Sequence, residues 1–146
     1  MLKEKIKEDV KRAMKAGDAT RVGVLRLLQT AIVNKEIETR GRGETLTDDE
    51  IVQVLMTEAK KRRESIAVFE QGHRNDLAEK EKAELIIVQE YLPKQLGREE
   101  LTAMVKTAMQ RVGSKEFGAV MKEVMKEVKG RADGVLVSQV VKELLQ

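Results

Sequence analysis

In the stretch KGRADG, residues 129–134, Lys129 and Arg131 stand on either side of Gly130, and Asp133 and Gly134 follow at once. Two cations this close can meet the phosphates of a polyanion. Geometry offers a second account, because Gly130 can take the left-handed conformation that ends a helix while Asp133 caps the next one. A lysine in a last helical turn also suits the helix dipole, which accounts for Lys129 better than for Arg131. Both readings stand on spacing alone: a phosphate-binding pair at Lys129 and Arg131, or a structural turn made by Gly130, Asp133 and Gly134.

Other candidate chemistry is thinner. The lone histidine, His73, follows a helix-ending glycine, where its imidazole meets terminal carbonyls or solvent and has no local partner for catalysis or metal binding. Ser114 reads as a helix cap, and Ser65 and Ser138 fall inside helices, so none sits in a nucleophile elbow. No phosphate-cradling glycine loop and no paired-histidine metal motif is present. The chain has no cysteine, which removes thiol nucleophiles and disulfides. No catalytic residue, metal site or cofactor is expected. The run KKRR at residues 60–63 fans through roughly 300° of a helix and cannot turn to one ligand. Glu58 and Glu64 stand at pairing distance, so a solvated helix face accounts for it.

The elements that must carry these residues are helical. Apolar residues recur at helical spacing along the chain, and no stretch shows the alternation of a half-buried strand. The pattern predicts seven helices. The first covers about residues 2–16 and stops before Gly17. The second follows Asp18 as cap and is expected at the centre of its bundle, with Val24, Leu25, Leu28, Ala31 and Ile32 inward. After the loop TRGRGE, with Gly41 and Gly43, Thr47 and Glu50 stand at capping-box spacing for a third helix that buries Ile51, Leu55, Ala59, Ile66 and Phe69 and ends at Gly72. A fourth, about 76–91, buries Leu77, Leu85, Val88 and Leu92, and Pro93 prevents its continuation. Three shorter helices divided by Gly113 and KGRADG follow, led by Leu101, by Phe117 and Val120, and by Val137. The expected architecture is all-α, with a four-helix part over 1–93 and a small three-helix tail domain over 94–146, the joint lying near Pro93–Gly97.

Composition agrees with this. Charged residues make up 36% and aromatics 2%, so any core is built from aliphatics and methionine. With Phe69, Tyr91 and Phe117 the only aromatics, a base-stacking platform is not expected, and RNA would be met through backbone and shape. Residues 1–93 balance 18 Lys+Arg against 18 Asp+Glu, whereas residues 94–146 carry 10 against 7. The net charge of +3 therefore sits at the carboxyl end. The amino terminus lacks the apolar run of a signal peptide, and no segment approaches the ~20 apolar residues of a membrane span. A cytoplasmic, unprocessed monomer away from membranes is expected.

The stretches AKKRRESIAVFEQGHRNDLAEKEKAEL, YLPKQLGREEL and FGAVMKEVMKEVKGRADGVLVSQVVKELL together resemble the YqeY family of GatB/YqeY-domain proteins across essentially the whole chain. The last stretch also resembles the helical tail of the B subunit of the glutamine-dependent aminoacyl-tRNA amidotransferase. That tail helps hold tRNA while the chemistry occurs elsewhere in the complex. By position the resemblance covers Gly118, Met121, Lys129, Gly130, Arg131, Ala132, Asp133, Leu136 and Val137. Tail sequences often carry Asn-Pro where this chain has Asp133-Gly134, an acid that caps a helix and repels a phosphate. The resemblance implies a tRNA-associated accessory protein, with tRNA or other structured RNA and amidotransferase subunits as partners. Two alternatives remain: carbon–nitrogen ligase activity with glutamine as amide donor, supplied with other subunits, and a protein-interaction module that binds no RNA.

Overall fold

A computed structural model describes residues 1–41 and 45–146, leaving aside the side chain of Arg40. Gly43 and the rest of 42–44 in the expected loop lie outside the described residues. Among the described residues there are seven α-helices and no strand. No helix there is long and apolar enough to cross a membrane. The chain falls into two compact units, Met1–Leu92 and Pro93–Gln146.

The first unit holds α1 (Leu2–Ala16), α2 (Ala19–Arg40), α3 (Asp48–Gln71) and α4 (Asn75–Gln89). Helix α1 stops where Gly17 turns left-handed at φ 70°, and the Asp18 N–H reaches back to the Ala13 carbonyl at 3.0 Å. The Asp18 carboxylate then accepts the Arg21 N–H and opens α2. Thr47 and Glu50 form the expected capping box at the start of α3, each side chain holding the other's N–H. At the other end Gly72 stays right-handed, and it is His73 that takes the left-handed conformation, at φ 57°. The histidine therefore meets the terminal carbonyls of α3 with its backbone N–H, which reaches Glu70, while its side chain is exposed.

Val24, Leu25, Leu28 and Ile32 of α2 are buried to within 1% and pack with Ile6 and Val10 of α1, Ile51 and Leu55 of α3, and Val88 of α4. Leu27, Val33 and Ile37, also on α2, remain exposed, so the helix is central on one side only. On α4 the buried set is Ala78, Ile87 and Val88, continued by Tyr91, while Leu77, Leu85 and Leu92 are half-buried. Phe69 is half-buried too, and the α3 stripe instead carries Arg62 between Ala59 and Ile66.

The second unit holds α5 (Arg98–Val112), α6 (Phe117–Val128) and α7 (Gly134–Leu145). Each contributes one apolar stripe, including Leu101 and Val105, Val120 and Val124, and Val137 and Val141, and Leu96 and Ala132 close the core at its edge. Gly113 ends α5 at φ 67°. Ser114 is not the N-cap of α6: it lies three residues before the helix, its hydroxyl accepts the Glu116 N–H at 3.1 Å, and Glu116 holds the cap position. Phe117 is 38% exposed, with the Lys142 ammonium 5.8 Å from its ring centroid.

One buried carboxylate ties the first unit together across long sequence separations. Glu36 accepts the Lys3 ammonium at 2.8 and 3.0 Å and the Leu46 N–H at 3.0 Å, joining α1, α2 and the chain that enters α3. The Lys3 hydrogen bond, helped by the Leu46 N–H, holds the carboxyl below its ordinary value of 4.5, although burial pulls the other way. A carboxyl whose folded pKa is depressed adds stability above its unfolded pKa and loses it as pH falls through the folded one. Glu36→Gln is therefore expected to cost about 1–3 kcal/mol at pH 7. In urea denaturation the gap from wild type should narrow as pH falls below 4.5.

Candidate nucleic-acid interface

Helix α6 ends at Val128 rather than at a left-handed cap. Lys129 follows at φ −56°, ψ 123°, and Gly130 at φ 80°, and the Arg131 N–H returns to the Val128 carbonyl at 2.8 Å. These angles and this hydrogen bond make a type II turn with glycine at the position that requires positive φ. Ala132 N–H adds a second bond to the same carbonyl, at 3.2 Å. The Asp133 carboxylate accepts the Val135 N–H at 3.1 Å and starts α7. Gly134 is the first residue of that helix, has no positive φ, and leaves a Cβ nothing to strike within 4 Å. Of the three expected turn residues, Gly130 and Asp133 have geometric duties and Gly134 has none.

The turn is held from outside by residues 93–96. The Gln95 amide donates to the Pro93 carbonyl at 2.8 Å and to the Gly130 carbonyl at 2.9 Å. Leu96 N–H meets the Arg131 carbonyl at 2.8 Å, and Leu96 itself is buried. Residues 95 and 96, within the segment expected as the joint, are thus bonded to the turn. Nothing in local spacing points to Gln95, since its target lies 35 residues along the chain.

The two predicted cations divide the work around this turn. Lys129 is exposed and has no ion-pair partner among the described residues. Arg131 is half-buried, and its Nε donates to the Lys94 carbonyl at 3.4 Å. Neither is neutralised by the acids of α6, because Glu123 and Glu127 accept Arg111 at 3.0 and 2.7 Å. Asp133 takes one of the first N–H groups of α7, that of Val135, and sets a carboxylate at the helix start, which favours side-chain cations over the helix end for meeting an anion.

The KKRR run divides differently. Arg62 turns inward, 8% exposed, and pairs with Glu81 at 3.2 Å and with Glu84 of α4. Lys61 pairs with Glu58 at 3.4 Å. A second charged group surrounds Tyr91 in a cleft of about 330 Å³ lined also by Lys5, Asp9 and Arg21. Tyr91 donates its hydroxyl to Asp9 at 2.5 Å, and Arg21 clamps Glu90 at 2.7 and 3.2 Å. Burial first, then the Asp9 carboxylate, raises the tyrosine's pKa, while the Arg21 hydrogen bond lowers that of Glu90. Opposite charges meet throughout, as in a clamp that fastens the end of α4 to α1 and α2. Among the described residues no group of His, Cys, Asp and Glu is placed to hold a metal ion.

A family profile for Yqey-like proteins matches residues 3–145. The chain belongs to the YqeY family. Relatives of this YqeY chain include proteins named "Altered inheritance of mitochondria protein 41, mitochondrial". The one from Lachancea thermotolerans is 35% identical over 88 residues, 60% of this chain and 46% of the relative. That from Kluyveromyces lactis is 36% identical over 103 residues, 68% of this chain and 54% of the relative. That from Pyrenophora tritici-repentis is 30% identical over 109 residues, 73% and 58% respectively. The chain thus spans about half the length of the curated relatives it matches. These names overturn the cytoplasmic address expected from the sequence. Transit segments of mitochondrial proteins are amphipathic and charged, so the composition from which that address was read does not separate the two compartments.

Gly130→Ala should destabilise the second unit of this YqeY protein by about 1–2 kcal/mol, the penalty of a Cβ in left-handed backbone. Gly134→Ala should be neutral or stabilising, because alanine is the better helix former. Chemical denaturation of the two variants checks the contrast.

Proposed function

We propose that this YqeY protein is a tRNA-associated accessory protein that binds structured RNA through the corner at residues 128–133. The observation that carries the reading is an exposed, unpaired Lys129 beside Arg131 on a turn held rigid from both sides. Side-chain cations on a fixed turn suit phosphates, which position an RNA without reading its sequence. The basic excess of residues 94–146 and the likeness of 117–145 to the amidotransferase tail support the same reading. Its partners would be tRNA and, by that likeness, amidotransferase subunits. The scarcity of aromatics favours recognition by shape over base stacking.

The reading includes two separately folding parts, a four-helix domain and a three-helix tail domain. The apolar stripes of each unit close on their own core cluster. Residues 1–92 and 93–146, expressed separately, should each be helical and melt cooperatively. A tail fragment without a cooperative transition would count against the division.

Affinity for tRNA should fall with salt as bound cations release counterions. Replacing Lys129 and Arg131 together by Ala should weaken binding alike for different tRNAs and reduce the log–log salt slope by roughly 2. Circular dichroism checks that the variant stays helical. Wild-type affinity and slope in a folded double variant would leave only the structural turn.

A further inference from the structure

We propose that Lys94 is the third cation of the same phosphate-binding site, brought to Lys129 and Arg131 by the fold. The inference rests on the reading of the corner as an RNA contact and adds a residue from a distant part of the chain. Three hydrogen bonds run between residues 94–96 and 130–131: Arg131 Nε to the Lys94 carbonyl at 3.4 Å, the Gln95 amide to Gly130 at 2.9 Å, and Leu96 N–H to Arg131 at 2.8 Å. The two segments therefore lie side by side, although 37 positions separate Lys94 from Arg131.

Lys94 is exposed, and among the described residues its ammonium has no ion-pair partner. Only its backbone carbonyl is used by the fold, in orienting Arg131. That contact occupies one of the five N–H donors of the guanidinium and leaves four. Glu123 and Glu127 of the neighbouring helix are engaged by Arg111, so the backbone adjacency sets three cations against one charged acid of the corner itself, Asp133. Asp133 is the acid at the corner, and it serves the start of α7. Lysine, a point charge on a flexible four-carbon stem, suits a phosphate whose position along an RNA backbone is not fixed by base contacts. The chemical class recognised is thus the phosphate backbone of folded RNA, met by Lys94 and Lys129 as mobile charges and by Arg131 as an oriented one.

Because the carbonyl and not the side chain supports the turn, Lys94 can be changed without removing that support. Salt titrations of tRNA binding on the full chain compare wild type, Lys94→Ala, Lys94→Arg and the Lys129→Ala/Arg131→Ala double variant, with thermal melts of each. Lys94→Ala should keep the wild-type melt, weaken binding similarly for different tRNAs, and lower the salt slope by roughly 1. Lys94→Arg should keep the wild-type slope. A folded Lys94→Ala with wild-type slope overturns the role of Lys94, as does equal loss in the Ala and Arg variants. If the double variant then still loses slope, the RNA reading of the corner survives without Lys94. If it does not, both fall.

Discussion

The donation of the Gln95 amide to the Gly130 carbonyl, with the Leu96–Arg131 backbone bond beside it, is the contact on which the second unit's order depends. Val120, Val124 and Val128 of α6 face Val137, Val140 and Val141 of α7, and these short branched side chains fill space without fixing how one helix follows another. The turn between α6 and α7 must do that. A turn this tight leaves carbonyls pointing away from both helices, and Gly130 is buried, so an unpaired carbonyl there would be costly. Residues 95 and 96 supply the donors. In doing so they draw Leu96 into the core and convert the start of the unit into part of its frame.

Much of the fold was legible because it is written in local spacing. Gly17 and Gly113 ended their helices, Asp18 and the Thr47–Glu50 pair began theirs, and the stripes of α5 and α7 fell where the 3.6-residue period puts them, as did that of α6 from Val120 onward, whereas Phe117, expected to lead it, is exposed. What local spacing could not carry were polar groups whose partners are remote. Arg62 occupies a core position on α3 only because Glu81 and Glu84 come from α4, and Glu36 is buried only because Lys3 reaches it from 33 residues away. A period count treats both as breaks in the stripe.

The candidate site divides along the same line. That Lys129 is exposed and that Gly130 has positive φ could be anticipated from KGRADG itself. The support from residues 93–96 could not, because it is made of main-chain carbonyls and one amide side chain far along the sequence. Likewise, the run KKRR was expected to fan out as a solvated face, and Lys61 does pair with its neighbour Glu58, but the helix sends Arg62 inward, which spacing did not show. Charge on a helix is sorted by face, and only charge on a turn stays together.

Tyr91 gives the molecule an optical asymmetry. With no tryptophan and a single tyrosine, essentially all of its ultraviolet emission originates from one ring at the end of the first unit, while the second unit carries only Phe117. That phenol donates to the Asp9 carboxylate, a proton acceptor that quenches the excited state. Parting Tyr91 from Asp9 would brighten the emission, so fluorescence follows the first unit whereas far-ultraviolet dichroism follows the helices of both. The two signals would coincide on heating only if the whole chain unfolds as one.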